Sequence, residues 1–148
     1  MIVRSLARPL MAGIFVVGGI DTLRKPGPKA QKAEAVIEPV AKQAGLEGLD
    51  PEQLTRIDAA VKIVAALMLA TGRLPRVSAL VLAGSLLPTT VAGHRFWEES
   101  DSTARKGQLM HFLKNFAILG GLMTMVVDTG GRESLPHKAR RLATRAGD

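Results

Sequence analysis

The sequence predicts an all-α protein: a four-transmembrane-helix bundle with an extracytoplasmic amphipathic helix between the first and second crossings. Three observations lead there. The stretches 9–20, 63–72, 77–93 and 115–127 contain no charged residue, and apolar and small residues surround each of them without the polar face that a water-exposed helix keeps. The 148 residues suit one domain, and the 47% that are hydrophobic concentrate in these four blocks. The basic residues, finally, gather on one side of the predicted bundle.

A crossing helix needs about 20 mostly apolar residues. The third block approaches this alone, and the others reach it when their ends sit at headgroup depth, where Arg4, Arg8, Asp58, Lys62 and Lys114 can extend to water along their stems. The helices expected are 2–23, 51–71, 75–95 and 103–128, joined by a long outer loop at 24–50. Residues 1–130 then form one helical membrane domain and 131–148 a basic cytoplasmic tail. A water-soluble four-helix bundle is the competing arrangement, and these helices offer it little polar surface.

Taken in order, the first helix begins with Arg4 and Arg8 ahead of an apolar run, as a signal peptide would. No small-x-small cleavage site follows, and Asp21-Thr22-Leu23-Arg24 fits a retained helix. In the outer loop Ala33, Val36, Ile37, Val40, Ala41 and Ala44 recur at helical spacing, with Lys29, Lys32, Glu34, Lys42 and Gln43 on the remaining faces. This is an amphipathic helix, kinked at Pro39, whose mixed charges suit capping of the bundle or docking of a partner better than binding to anionic lipid.

Asp50-Pro51-Glu52-Gln53 reads as an N-cap, a proline at the first helical position and a capping-box glutamine. Gly72 closes that helix. Pro75 opens the next after a very short turn, so the two are antiparallel neighbours, and Pro88 bends its outer half. Gly13, Gly18, Gly19, Ala79, Ala83, Gly84, Gly120 and Gly121 permit close helix contacts.

Orientation follows from charge. The N-terminus, the turn at Arg73 and Arg76, and the tail with Arg132, Lys138, Arg140, Arg141 and Arg145 carry nine basic residues against Asp128, Glu133 and Asp148. The opposite side is balanced, with six of each sign in 21–56 and three of each in 94–106. Both termini are therefore expected in the cytoplasm of a bacterial cell membrane. The net charge of +7 is a consequence of topology, and without an aromatic-basic platform no nucleic acid partner is expected. Lys138, Arg140, Arg141 and Arg145 are placed to hold the tail on an anionic leaflet, each worth about 1 kcal/mol there. An acidic cytoplasmic protein is the competing partner for this tail.

Candidate site residues lie at the outer ends of the helices. Gln108, His111 and Asn115 fall at i, i+3 and i+7 on the fourth helix, with Lys114 adjoining. His94 and Trp97 stand at the matching end of the third, and Asp21 at that of the first. Asp58 and Lys62 form an i, i+4 pair entering the second. A central charge costs about 2.5 to 3.5 kcal/mol on insertion, and each strong apolar residue returns roughly 0.3 to 0.6. That helix has seven such residues, so an unpaired Lys62 would cancel most of their gain. Asp58 and Asp21 are the partners within reach in sequence terms, and for Lys114 they are His111 or an acidic neighbour.

Three uses of this cluster stay open. It can be a self-satisfied interhelical network that fixes helix register. It can be a quinone headgroup site, with His94 or His111 donating to one carbonyl oxygen, Gln108 or Asn115 holding the other, and Trp97 or Phe112 against the ring. It can bind metal through His94, His111 and Asp101 or Glu98, although the two histidines lack close ligand spacing, so no metal is expected. His137 belongs to the solvated tail. The chain has no cysteine, which removes disulfides, thiolate metal sites and dithiol redox chemistry. With no catalytic motif, it is not expected to be an enzyme alone.

Arg4-x-x-x-Arg8-Pro-Leu-x-x-Gly-Ile-Phe-x-x-Gly-Gly-x-Asp resembles the opening of DoxX-type membrane proteins. So does His94-x-Phe96-Trp97, an acidic spacer ending near Asp101, then Gln108-x-x-His111-Phe112-x-Lys114-Asn115 and Gly120-Gly121. The resemblance covers about four-fifths of the chain and is to the actinobacterial type. It implies a four-helix membrane protein in the neighbourhood of respiratory quinone chemistry or of membrane assemblies with oxidative-stress enzymes. The expectation is thus an accessory or scaffold subunit for redox partners, with a quinone as candidate cofactor. A quinone-dependent oxidoreductase component is the alternative. A small-solute transporter ranks last, because little beyond Ser78, Thr71 and Thr124 would line a path.

Overall fold

A computed structural model describes residues 2–43, 45 and 48–128. The tail residues Lys138, Arg140, Arg141 and Arg145, and His137, lie outside the described residues. The described chain is helical throughout, with no strand: α1 (Ile2–Arg24), α2 (Gly27–Gln43), α3 (Pro51–Ala70), α4 (Pro75–Gly93) and α5 (Ser102–Val127). Three of these, α1, α4 and α5, are long and apolar enough to cross a membrane. The sequence expectation of a fourth crossing falls on α3, where every membrane-length stretch includes Arg56, Asp58 and Lys62.

Local chemistry sets the boundaries. At the start of α3 the Asp50 carboxylate accepts from Glu52 N–H at 2.6 Å, and Gln53 Oε1 accepts from Asp50 N–H at 3.2 Å, with Pro51 supplying the preset φ of the first turn. At its end Gly72 takes φ +71°, and Arg73 N–H turns back to Met68 O at 2.9 Å. Leu74 also adopts a left-handed backbone, φ 49° and ψ 47°, before Pro75 opens α4. This tight reversal makes α3 and α4 antiparallel neighbours. Asp101 caps α5 by accepting from Ala104 N–H at 2.7 Å.

α1 lies along α3, α3 along α4, and α4 along α5, while α2 rests on α3 and α4. The shared core is small-featured: Leu69, Leu82 and Leu122 are completely buried, with Ala66 and Ala79 between them and Ala12 and Phe15 reaching in from α1. Two glycines admit closer approach. A Cβ on Gly19 would lie 2.6 Å from Ile63 Cγ1 and 3.1 Å from Ala59 O, and one on Gly121 would meet the terminal methyl of Met11 at 2.5 Å.

The surface is inverted relative to that of a water-soluble bundle. Ile2, Val3, Leu10 and Val17 of α1 are 69–78% exposed, and α5 buries only Asn115 and Leu122. Apolar outer faces of this extent suit hydrocarbon. The bundle has two polar ends. The upper end comprises the end of α1, α2, the start of α3, the end of α4 and the start of α5; the lower end comprises the start of α1, the α3–α4 turn and the end of α5.

Candidate functional site

Two polar layers cross the upper part of the bundle. In the first, Asp58 on α3 pairs with Lys62 one turn below it, Nζ to Oδ2 at 2.6 Å. α4 completes the arrangement. Ser85 Oγ donates to the other Asp58 oxygen, Lys62 Nζ donates to Thr89 Oγ1 at 2.8 Å, and Thr89 in turn donates to Ser85 O at 2.8 Å. The Lys62 side chain is 13% exposed and that of Asp58 36%, so the ammonium is the deeper charge, and it is held by a carboxylate and a hydroxyl.

Asp21, expected as a second partner for Lys62, pairs elsewhere. Lys29, from the first turn of α2, reaches Asp21 Oδ2 at 2.5 Å and Thr22 Oγ1 at 3.0 Å. The reason is geometric: the sharp α1–α2 connection brings Lys29 over the end of α1, while Lys62 is turned toward α4. Arg56 adds a second tie by donating to Leu23 O at 3.4 Å and to Glu52 at 2.8 Å.

In the second layer, the α5 stripe of Gln108, His111 and Asn115 faces the end of α4. His94 Nδ1 and Gln108 Oε1 are 2.9 Å apart. The His94 and His111 rings stack, with centroids 5.1 Å apart and planes inclined by 17°. Lys114 Nζ stands 3.5 Å from His111 Nδ1. One turn deeper, Asn115 is buried and donates through Nδ2 to Thr90 Oγ1 at 3.1 Å, and Thr90 donates to Leu86 O at 2.7 Å.

These partners assign the hydrogens. With the Gln108 amide oxygen facing it, His94 is assigned its hydrogen on Nδ1, and beside the Lys114 ammonium a neutral His111 is assigned its hydrogen on Nε2. In that assignment neutral His94 has an acceptor at Nε2 and neutral His111 a donor at Nε2–H, on rings whose centroids are 5.1 Å apart.

Aromatic rings adjoin this pair. Phe112 stacks on Phe116 at 4.7 Å and meets Phe96 edge-on at 5.3 Å, and Trp97 contacts both Phe96 and Phe112, at 5.1 and 6.1 Å. Four of the five Phe and Trp residues of the chain therefore sit together at one end, where an amphipathic indole suits a membrane interface. Among the described residues no three His, Asp or Glu side chains converge as a metal-binding group.

Every described candidate residue thus lies in the upper part of the bundle, with Asp21 and the aromatic rings outside the two layers. The sequence reading missed Ser85, Thr89 and Thr90 on α4 and Lys29 on α2. A signal existed for the α4 hydroxyls: Ser85-x-x-x-Thr89 has the same spacing as Asp58-x-x-x-Lys62 on the neighbouring helix. The lower end also carries a polar group, with Arg4 Nε 3.0 Å and Arg8 Nη2 3.7 Å from Asp128 Oδ2.

Comparison with known proteins adds one match. The family model described as DoxX matches residues 3–95, taking in α1 to the end of α4 and with them Asp21, Asp58, Lys62 and His94. α5, with Gln108 and His111, lies beyond the matched residues, which cover less of the chain than the expected four-fifths. No curated relative and no solved structure matches the chain. With well over half of its length matched, and with apolar helices that suit a bilayer, the chain is a membrane protein of the DoxX family.

Proposed function

We propose that this protein is an accessory subunit of a redox assembly in the cell membrane and that its upper end holds a quinone headgroup. It crosses the bilayer four times, through α1, α3, α4 and α5, with both termini cytoplasmic and α2 outside. The observation that carries the quinone reading is the stacked His94–His111 pair. It offers one ring nitrogen that accepts and one that donates, next to a group of aromatic side chains. A quinone needs a donor at its carbonyl oxygen and a quinol an acceptor at its hydroxyl, and a flat ring gains from packing on Trp97 or Phe112. Gln108 holds His94 in the tautomer this requires, and Lys114 does the same for His111. The absence of cysteine supports the assembly role, since electrons must then be carried by the guest or by a neighbouring protein.

The test is purification in mild detergent, followed by mass spectrometry of extracted lipids and of co-purifying proteins. Wild type is expected to retain a quinone and a redox protein. His94→Ala and His111→Ala each lower quinone content about tenfold, the equivalent of roughly 1.4 kcal/mol, while leaving the protein partner bound. A wild-type chain that purifies alone, without quinone, would end this reading and leave the network with a structural role only.

A further inference from the structure

The lower end collects arginines around very little acid. Arg4 and Arg8, one turn apart on α1, both point at Asp128. Arg8 also reaches the α3–α4 turn, where its Nη1 lies 3.1 Å from the Cβ position of Gly72. Arg76, in the first turn of α4, donates through Nε to Val126 O at 3.0 Å and through Nη2 to Val127 O at 3.3 Å, the last carbonyls of α5. Arg73 is exposed in the turn between them. Among the described residues, Asp128 is the one carboxylate at this end, against four guanidinium groups. The upper end mixes both signs.

Directly beside these charges lie exposed apolar side chains: Ile2 and Val3 on α1, Leu74 and Val77 at the start of α4, and Val127 at the end of α5. A surplus of guanidinium bordered by apolar surface on a membrane helix bundle matches a ligand that is anionic at one end and hydrocarbon at the other. We propose that Arg4, Arg8, Arg73 and Arg76 form a headgroup site for an anionic glycerophospholipid. The phosphodiester bridges the guanidinium forks, which are shaped for bidentate contacts to phosphate oxygens. The acyl chains run along the apolar flank. The Asp128 carboxylate occupies part of the same charge field, so it competes with the phosphate for Arg4 and Arg8. This site is independent of the quinone reading, which concerns the opposite end.

The experiment reconstitutes the full chain with equimolar phosphatidylcholine and phosphatidylglycerol and counts retained lipids by native mass spectrometry during delipidation. Wild type is expected to keep phosphatidylglycerol in preference to phosphatidylcholine. Each arginine replaced by glutamine lowers the apparent phosphatidylglycerol affinity about fivefold, the size expected for one basic residue near an anionic headgroup. Arg4→Gln/Arg8→Gln tests the centre of the site. Arg73→Gln, at an exposed turn position, keeps the test open if the double variant does not fold. Asp128→Asn raises phosphatidylglycerol retention, because it removes the competing carboxylate. Inorganic phosphate added in excess leaves the lipid in place, since it gains nothing from the apolar flank. Equal retention of both lipids by wild type, unchanged retention in Arg73→Gln and Arg4→Gln/Arg8→Gln, or displacement by inorganic phosphate would overturn the proposal.

Discussion

At the scale of single residues, the Asp58–Lys62 pair shows how a helix of an apolar bundle tolerates two charges. The carboxylate accepts from an ammonium and a hydroxyl, and the ammonium donates to a carboxylate and a second hydroxyl. A buried pair contributes little net stability, because desolvation offsets most of the attraction, yet removing one partner strands the other charge. Asp58→Ala leaves Lys62 with only Thr89. The loss in a fully buried setting is about 3 to 5 kcal/mol, and the partial exposure of Asp58 reduces it to about 2 kcal/mol. Adding Lys62→Met restores most of this, whereas Ser85→Ala costs only about 1 kcal/mol. Unfolding midpoints in detergent, arranged as a double-mutant cycle, provide the measurement. If Asp58→Ala proves as stable as wild type, the ammonium has reached water and the pair does not bind α3 to α4.

At the scale of helices, two glycines that look alike in sequence differ in consequence. Gly19 of α1 faces the stem of Ile63 and a backbone oxygen of α3. An added methyl must therefore separate the two helices, and Gly19→Ala is expected to cost about 1 to 3 kcal/mol. Gly121 of α5 faces only the flexible end of Met11, which can move aside, so Gly121→Ala stays within about 0.5 kcal/mol of wild type. Thermal unfolding of the two variants in one detergent decides the point; equal losses would mean that α1 meets α3 and α5 with the same rigidity. The contrast also marks what sequence can reveal. The Asp50 capping box and the Pro75 start were legible because every partner lies within four residues. That Gly19 is critical and Gly121 is not depends on which atoms of a distant helix arrive opposite them. For the same reason Lys29 was not foreseen as the partner of Asp21: the pairing is set by the angle at which α2 leaves α1.

At the scale of the whole molecule, the charge pattern and the apolar blocks made the bundle legible, while the status of α3 turns on its neighbours. Among α1, α3, α4 and α5, α3 is the helix in which every membrane-length stretch holds at least three charged residues, yet it packs against both α1 and α4. Its 20 residues extend about 30 Å at 1.5 Å each, the thickness of a hydrocarbon core. Its charges near the upper end are met by α1 and α4, and its lower end lies beside Arg8. A helix held on both sides by spanning neighbours inserts with its charges already paired, which lowers the cost that an isolated helix would meet. The expected outcome is therefore that Gly48, before α3, and Arg73, after it, face opposite compartments. The lack of cysteine makes the chain ready for this test. In intact cells or spheroplasts, Gly48→Cys and Ser100→Cys react with a membrane-impermeant maleimide, and Arg73→Cys reacts only after permeabilisation. Should Gly48→Cys and Arg73→Cys label from the same side, α3 does not cross, three helices span, and the two upper polar layers would no longer share one face of the membrane.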